Sequence, residues 1–403
     1  MRDTHVSVET RETMKLRYEH TVLTLCTFAF FATMVARLAI SPIVPAITDD
    51  FGIGNTVIGV ALTGMWMAYA LMQFPSGVFA DRFGERSIVL LSVGGTTVMS
   101  VLLAISPFYP LFVLSMIILG GVAGLHYSAA TTLLDRTYDN LGFAIGVHTI
   151  GSSAAGLVAP VTVAWISVRY GWRPAIAVGA AIAAPIFLLF ALRVHPTEPH
   201  RPDQPLRERV QVAELANILG KPQIAFTVAV ASVGAFVWQG TASFLPTFLV
   251  EYRGQSSTTA GIVFSAYFVV QSIVKPGIGA LSDRFGRDVT TFACMITSVV
   301  GLALFVTVPG FVGVAGGVVL IANGLSWAVA VEPRFMDNMT DQERGAGFGL
   351  VRTTYLTVAS LGSVAVGFFA DAFGWAVSFG MLMVLLTLVA VALAVNWLLD
   401  LGY

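Results

Sequence analysis

The sequence has few charged residues and almost no cysteine. Charged residues fill 11% of its 403 positions, against about 25% in a usual soluble domain, while 56% are hydrophobic. Cys26 and Cys294 lie far apart inside apolar runs, so neither a disulfide framework nor a thiolate metal site is indicated. A net charge of −1 provides no broad field that would attract nucleic acid. This composition argues against a water-soluble fold and indicates that the apolar residues lie in a lipid bilayer.

Motifs for enzymatic chemistry are also missing from the sequence. It shows no metal-binding cluster, no nucleophile elbow and no phosphate-binding loop. We therefore expect neither an enzyme nor a bound cofactor, and we do not expect ATP to drive the protein. A membrane sensor would normally bring a signalling domain, for which the short tails leave no room.

Twelve apolar runs, each long enough to cross a bilayer as a helix, make up most of the chain. A polar interruption at 194–221, rich in proline and arginine, divides them six and six. The sequence thus predicts an all-α membrane protein with a tail at 1–20, six-helix halves at 21–193 and 222–403, and a central loop between the halves. We number the helices as spans 1 to 12, and they lie near residues 21–47, 56–79, 87–106, 109–133, 141–168, 174–193, 224–250, 258–281, 289–308, 311–332, 345–370 and 375–399.

The distribution of basic residues predicts the orientation. If the amino terminus is cytoplasmic, sixteen of the 22 lysines and arginines lie on the cytoplasmic side and only Arg169, Arg173 and Arg253 lie outside. Cytoplasmic loops carry such an excess because positive charge opposes translocation. The sequence therefore predicts a multi-pass plasma-membrane protein with both termini in the cytoplasm.

The chain repeats itself at a spacing of 202 residues. The segment from Gly77 to Arg86, which contains Asp-Arg-Phe-Gly, returns from Gly279 to Arg287, and both copies lie on predicted cytoplasmic loops. We expect Gly77 and Gly279 to let neighbouring helices approach closely and Gly84 and Gly286 to supply turn conformations, and the Asp and Arg can pair across the loop. The repeat indicates two halves that descend from one duplicated unit.

The doubled loop, together with twelve spans, resembles the signature of the major facilitator superfamily. The resemblance implies two pseudo-symmetric six-helix halves and a secondary transporter that works by alternating access. It also implies that the loops latch one conformation of the cycle, whereas the alternative is that their charges are merely solvated. The gating residues so implied are Gly77, Asp81, Arg82, Gly84, Arg86, Gly279, Asp283, Arg284, Gly286 and Arg287.

Three cations, Arg37, Lys275 and Arg352, lie inside predicted spans. A charge at the bilayer centre costs at least ~2.5–3.5 kcal/mol and therefore needs a partner or a purpose. All 23 acidic residues fall in loops or near span ends, with Glu332 and Asp371 nearest to the interior. Since the sequence offers these cations no acid at the midplane, a bound anion is the simplest partner.

Arg37 shares one face of span 1 with Thr33 and Ser41, and its mate at the 202-residue spacing is Gln239 in span 7. An arginine at this place resembles the substrate arginine of the organophosphate and anion transporters in the superfamily. Those organophosphate carriers have a second arginine in span 7, so its absence here favours a single carboxylate. The alternative is that Arg37 snorkels to the outer interface.

Spans 2 and 8 carry a matched polar stripe at four-residue spacing, which places its members on one face of each helix. The stripe consists of Met65, Tyr69, Gln73, Tyr267, Gln271 and Lys275. Lys275 resembles the span 8 cation of oxalate–formate exchangers, which also have a cation in span 11, where Arg352 lies. We expect this stripe and Arg352 to contact substrate, and snorkelling toward the cytoplasm is the alternative for the two cations.

The histidines within spans are His126 in span 4 and His148 in span 5, and either can titrate near neutral pH. They are candidates for proton coupling, whereas the alternative is that each is a satisfied hydrogen-bonding residue. Asn323 and Trp327 lie four residues apart in span 10, where they either complete the cavity or pack.

The leading hypothesis is a secondary carrier of a small organic anion such as a carboxylate, exchanged or moved with protons. The alternative is proton-coupled multidrug efflux, because Gly146, Gly151, Gly156 and Pro160 weakly resemble the antiporter motif of drug exchangers. Against it, span 4 lacks the arginine of those exchangers and span 1 has no acid to attract a cationic drug. The expected partners are an anionic solute, membrane lipid and, in the coupled mode, protons, with no nucleic acid and with the chain as a monomer.

Overall fold

The computed structural model describes residues 2–138, 140–199, 217–340 and 344–403, with side chains from residue 17 in the first range and from residue 347 in the last. These ranges are helical apart from short connections, and none of them contains a strand. Most of the predicted central loop, residues 200–216, lies outside the described residues, as do the side chains of most of the predicted tail.

Twelve helical spans in the described chain are long and apolar enough to cross a membrane, so the predicted number is confirmed. Each half packs its six spans together, and the halves meet where span 2 contacts span 11 and span 5 contacts span 8. The helix of span 1 begins at Arg2. The spans are Arg17–Phe51, Asn55–Phe83, Glu85–Ile105, Tyr109–Thr137, Leu141–Tyr170, Trp172–Arg193, Pro222–Glu251, Ser257–Phe285, Arg287–Thr307, Gly310–Asp337, Gly347–Phe373 and Trp375–Leu398.

Spans 4 and 10 are both broken at equivalent positions. Span 4 consists of the helices Tyr109–Gly124 and His126–Thr137, and span 10 consists of Gly310–Gly324 and Ala328–Asp337. The breaks begin about 200 residues apart, so the internal repeat is visible in the backbone as well as in the sequence.

Span 1 is interrupted, whereas its counterpart, span 7, is not. The first helix of span 1 ends at Leu38, a turn of 3-10 helix follows at Ser41–Ile43, and a second helix runs over Val44–Phe51. Pro42 and Pro45 lack the N–H group that a continuous α-helix would use there. Span 7 continues as one helix from Pro222 to Glu251.

The two halves approach closely at the ends where span 2 begins and span 11 ends. A Cβ on Gly59 would lie 2.9 Å from the Ser363 carbonyl oxygen, so only glycine fits at this contact. Thr63 Oγ1 donates a hydrogen bond across the interface to the Ser360 carbonyl at 2.9 Å. The halves are therefore in direct contact between spans 2 and 11 at this end, which the charge distribution predicts to be the outer one.

Candidate functional site

Arg37 lies inside the bundle, not at an interface with water. Its side chain is 1% exposed, Nε donates to the Thr33 carbonyl at 3.2 Å, and Nη2 contacts Met34 Sδ at 2.7 Å. The guanidinium carbon lies 3.9 Å from the centroid of the Tyr69 ring and 5.1 Å from that of Trp66. Nη1 makes no hydrogen bond of ordinary geometry, although the Tyr69 hydroxyl lies near the guanidinium. Snorkelling to the outer interface does not describe this side chain.

The two aromatic rings stabilise the buried guanidinium but do not neutralise its charge. A desolvated cation–π contact contributes about 2 kcal/mol per ring, comparable with the ~2.5–3.5 kcal/mol that an arginine costs at the bilayer centre, yet a ring carries no net negative charge. No acidic side chain in the described ranges acts on Arg37, and Tyr69 is the polar neighbour that does. The guanidinium is thus held in place by carbonyl, sulfur and aromatic contacts, with one nitrogen left for an anion.

Gln239, the counterpart of Arg37, is tied up within its own half. Its Nε2 donates to Ser243 Oγ at 3.2 Å, and Ser243 Oγ lies 2.7 Å from Ser363 Oγ. All three residues are buried. This chain of hydrogen bonds joins span 7 to span 11, so Gln239 stabilises the packing of the half.

The matched stripe of spans 2 and 8 has different surroundings in the two halves. Tyr69 is half-buried against Arg37, and Gln73 is buried with an unpartnered Nε2 atom. Tyr267 is fully buried and accepts a hydrogen bond from Gln271 Nε2 at 2.9 Å. Met65 is buried as well. Within this stripe, Tyr69 is the residue whose ring lies over the Arg37 guanidinium.

Lys275 and Arg352 form a second charged group together with an acid that the sequence pattern assigns to the end of a span. Glu332 lies inside span 10, five residues before its end, and acts on the charges of both cations. Tyr355 donates to Glu332 Oε1 at 3.1 Å. Glu332 thus lies near the end of span 10 and not at its centre, and the structure adds that it lies within electrostatic range of both cations.

Tyr69 and Tyr127 lie near two of the cations. The guanidinium of Arg352 sits 5.3 Å from the Tyr127 ring centroid and leaves Nε without a partner. Tyr69, which contacts Arg37, also lies within electrostatic range of Arg352. Lys275 is exposed on the same face of span 8 as the buried Gln271. Arg37 and Arg352, one from each half, thus both lie near Tyr69.

His126 and His148 are fully buried beside each other. Their ring centroids lie 5.4 Å apart, and both rings stack on Phe30 at 5.5 and 4.9 Å. None of their four nitrogens makes a hydrogen bond of ordinary geometry, although the Cys26 backbone lies near both rings. The two histidines therefore differ from ordinary core histidines, whose ring nitrogens make regular hydrogen bonds.

Trp327 packs, and Asn323 is half-buried. The Trp327 ring lies so close to Gly234 that a Cβ there would be 2.6 Å from it, and the indole nitrogen has no partner. Trp327 also sits at the break of span 10, where its backbone N–H donates to the Gly324 carbonyl at 3.2 Å. Its main visible role is thus to fill space between spans 10 and 7.

The first loop of the repeat is fixed to its own half. Arg86 donates to the carbonyls of Val194 and Ala191, both at 2.7 Å. Buried Glu85 lies 3.0 Å from Arg136 Nε at the end of span 4. These contacts join spans 3, 4 and 6.

The second loop makes equivalent connections in the other half. Arg287 Nη1 lies 2.5 Å from Asp283 and its Nε lies 3.3 Å from Asp337. Arg334, at the end of span 10, pairs with Asp288 at 2.6 Å. Residues beside each loop therefore join the third and fourth spans of their half through ion pairs.

The glycines of the two loops confirm one expectation and correct another. Gly84 and Gly286 have φ of +82° and +94°, the conformation that favours glycine, and they separate consecutive spans. A methyl group on Gly77 would meet nothing within 4 Å, so the expectation that Gly77 allows close helix packing is wrong, whereas Gly279 does face Val329. Arg82 and Arg284 are exposed and lie over the neighbouring phenylalanine rings.

The sequence analysis names Asp371 but misses its role in joining the two halves. Asp371, at the end of span 11, accepts hydrogen bonds from the backbone N–H groups of Asn55 and Thr56 at 3.1 and 2.7 Å, and from the Thr56 hydroxyl at 2.7 Å. It therefore caps the first turn of span 2 from the other half. The residue 202 positions earlier is Arg169, which cannot accept a hydrogen bond, so the other half has no equivalent cap at this position.

Trp66 and Trp238 were also missed. Their rings, from spans 2 and 7, meet edge to face at 6.5 Å across the two halves. Trp66 lies three residues before Tyr69, a spacing that puts both rings on the Arg37 side of span 2. That spacing is visible in the sequence.

Comparison with known proteins places this architecture in a family. The family model described as Major Facilitator Superfamily matches residues 26–258 and 235–401. The hexuronate transporter of Bacillus subtilis (strain 168) is 22% identical over 86% of this chain and 87% of its own. The multidrug resistance protein MdtG of Enterobacter lignolyticus (strain SCF1) is 24% identical over 81% of this chain and 80% of its own.

A solved structure supports the fold independently. The bacterial homologue of the human lysosomal transporter Spinster, in an inward-facing and unoccupied conformation, superposes with a TM-score of 0.79 at 18% identity, covering 93% of this chain and 96% of the other. Since the family model spans nearly the whole sequence and the fold agrees, the chain belongs to the Major Facilitator Superfamily and is a membrane transporter of small solutes, not an enzyme.

Proposed function

We propose that this transporter carries a small organic anion, such as a carboxylate, by alternating access, through exchange or proton coupling. The observation that supports the proposal best is the Arg37 guanidinium, which is buried, has an unpartnered Nη1 and has no acidic partner among the described residues. A carboxylate suits it because the planar fork of the guanidinium can donate two parallel hydrogen bonds to the two oxygens.

The surroundings of Arg37 support the same class of solute. Tyr69 contacts Arg37 and lies within range of Arg352, so one solute could meet charge from both halves near this ring. The similarity to a hexuronate transporter agrees with the proposal, because a hexuronate carries a carboxylate.

Proton-coupled multidrug efflux is the second candidate. The similarity to MdtG and the half-buried aromatic rings of Trp66 and Trp238, which meet between the halves, favour it. It ranks second because Arg37, Lys275 and Arg352 outnumber Glu332, the one acid in the described ranges that acts on them. This excess of positive charge disfavours a cationic drug.

Several further features belong to the same proposal. We assign His126 and His148 to the coupling proton, because they are paired, buried and without ordinary hydrogen bonds. The excess of basic residues supports cytoplasmic termini and cytoplasmic Asp-Arg-Phe-Gly loops in a plasma-membrane protein. The chain is proposed to act as a monomer whose halves are joined by the loop at 194–221.

Substitution of Arg37 tests the proposal. Arg37→Gln should lower anion transport by roughly 100-fold, since charge-assisted hydrogen bonds of this kind contribute about 1.5–3 kcal/mol each. Arg37→Lys should retain part of the activity, because an ammonium carries the charge but not the fork. The measurement is counterflow of labelled carboxylates, glucuronate among them, in proteoliposomes of equal protein density.

The control is Arg169→Gln, which removes an exposed arginine at the end of span 5. It should transport at the wild-type rate, and all variants should show wild-type thermal stability and membrane insertion. A wild-type rate in the Arg37→Gln protein would contradict the proposal, as would transport of cationic drugs in place of carboxylates.

A further inference from the structure

A row of aromatic rings runs from Arg37 into the other half. The ring centroids of Tyr69 and Trp66 lie 3.9 and 5.1 Å from the guanidinium carbon. Trp66 then meets Trp238 of span 7 edge to face, with 6.5 Å between the ring centroids. All three rings are half-buried, so part of each ring remains accessible to a solute. The charge proposed to bind the carboxylate thus lies beside an aromatic surface formed by both halves.

The polar side chains at the equivalent place in the other half are occupied with one another. Gln239, the counterpart of Arg37, donates to Ser243 Oγ at 3.2 Å, and that oxygen lies 2.7 Å from Ser363 Oγ. All three residues are buried, and a hydroxyl of the solute could bond to them only by replacing a bond that they already make. What span 7 offers to a solute beside Arg37 is therefore the ring of Trp238.

The matched stripes of spans 2 and 8 add one polar group. In span 8, Gln271 Nε2 donates to the Tyr267 hydroxyl at 2.9 Å, and both residues are buried. In span 2, Gln73 Nε2 has no hydrogen-bond partner. One amide group can serve one polar substituent, whereas a sugar acid brings several hydroxyls, and each buried hydroxyl without a partner costs free energy. These surroundings suit a carboxylate with an apolar body.

We propose that the solute is an aromatic monocarboxylate, whose carboxylate meets Arg37 and whose ring lies against Trp66 and Trp238. The inference rests on the proposed anion transport and names the class of anion. Aromatic rings that meet edge to face or offset stabilise a complex beyond the apolar area that they bury. Because Trp66 and Trp238 belong to different halves, a ring bound against both of them would be contacted by both halves at once.

The first test compares monocarboxylates of equal charge on the purified wild-type protein. The probes are phenylacetate, cyclohexylacetate and glucuronate, each titrated in a thermal-shift assay, because a ligand stabilises the state that it binds. Phenylacetate should bind at least about tenfold more tightly than glucuronate, whose hydroxyls lack partners. It should also bind about two- to tenfold more tightly than cyclohexylacetate, which has a ring of similar size that is not aromatic.

The variant Trp238→Leu separates the aromatic surface from the charge. Arg37 keeps its cation–π contacts in this variant, because these are with Tyr69 and Trp66. Phenylacetate should bind about tenfold more weakly, while glucuronate binding should change by less than about twofold. Trp238→Phe keeps an aromatic ring and should retain most of the affinity for phenylacetate. The matched control is Trp165→Leu, which removes an exposed indole of span 5 and should leave every affinity unchanged.

The outcomes distinguish the inference from the proposal beneath it. If no carboxylate stabilises the wild type, anion transport fails and the inference fails with it. If glucuronate binds the wild type as tightly as phenylacetate, carboxylate binding stands and only the aromatic class is overturned. Equal losses of phenylacetate and glucuronate affinity in Trp238→Leu would also overturn the aromatic class. Phenylacetamide, which has the ring but no charge, should bind at least about tenfold more weakly than phenylacetate, and equal binding would overturn both.

Discussion

Spans 1 and 7 occupy equivalent places in the duplicated fold, yet the buried polar residue of each span makes different contacts. In span 1 the helix ends at Leu38, immediately after Arg37, and the guanidinium turns toward the rings of Tyr69 and Trp66. In span 7 the helix is continuous, and Gln239 bonds to Ser243 one turn further along. One half presents a charge with a free nitrogen, and the other uses its polar group to hold itself together.

The same contrast appears where the halves meet. Asp371 of span 11 caps the start of span 2, whereas the equivalent residue of span 5, Arg169, is exposed and lies over Trp165. The interface between spans 5 and 8 is closed by packing, since a Cβ on Gly261 would lie 2.9 Å from the Pro160 carbonyl oxygen. Duplication has therefore preserved the backbone plan and the closeness of the helices, while the polar chemistry has become specific to one copy.

The strongest way to break this comparison is to move the arginine to the other half. The double variant Arg37→Gln with Gln239→Arg keeps the number of cations, yet we expect transport to stay roughly 100-fold below wild type. At position 239 the new side chain would enter a buried hydrogen-bonded chain with Ser243 and Ser363, and the residue equivalent to Tyr69 in that half is Gln271, which is not aromatic. Counterflow in proteoliposomes measures the rate. Recovery of transport would mean that the two halves are interchangeable at this site.

The histidine pair is a second feature that only the first half has. The residues 202 positions after His126 and His148 are Ala328 and Leu350, which cannot bind a proton. If the pair binds the coupling proton, His126→Gln and His148→Gln should each reduce accumulation driven by a pH gradient by about tenfold. Exchange with equal pH on both sides should change by less than about twofold, because it needs no net proton movement.

The matched control for the histidines is His195→Gln, which alters an exposed histidine stacked on Tyr18 and should behave as wild type in both assays. Uptake in liposomes with and without an imposed pH gradient provides the measurement. Unchanged accumulation in the variant lacking both buried histidines would remove them from the coupling mechanism.

The smallest effect is expected at the outer contact between the halves. Asp371→Asn keeps an acceptor but loses the negative charge at the start of span 2, which is worth about 0.3–1 kcal/mol. The population open at that end should therefore rise about two- to fivefold. Spin labels on Val57→Cys and Phe373→Cys, both exposed positions on opposite halves, report the distance. Arg169→Gln should leave the distance distribution unchanged. If Arg169→Gln shifted the distribution as much as Asp371→Asn does, the ends of spans 5 and 11 would contribute equally to closure, which would contradict the comparison.

The same cysteine at position 57 tests which end of the bundle faces the outside of the cell. A membrane-impermeant reagent should label Val57→Cys in intact cells and should label Ser87→Cys, which is exposed beside the first repeated loop, only after permeabilisation. Labelling of Ser87→Cys from outside would invert the predicted topology. Cys26 and Cys294 are buried and should react with neither.

The sequence by itself determined the twelve spans, the duplication and the family. Hydrophobic runs of about 20 residues have few alternatives in a bilayer, where backbone groups must be paired within the helix, and a repeat at a fixed spacing needs no coordinates to be seen. It also identified Arg37, Lys275 and Arg352, because a charge in an apolar run stands out by its cost.

Only the tertiary structure decided which groups meet. Linear spacing places Tyr69 on a helix face but does not say that its ring covers Arg37 of another span. It placed Glu332 near the end of span 10 but did not show that this acid comes within electrostatic range of Lys275 and Arg352. It likewise gave no reason for Asp371 to cap span 2, since that contact joins residues more than 300 positions apart. Pairing of this kind depends on how helices from separate parts of the chain pack, and a local pattern carries no information about the partner's position.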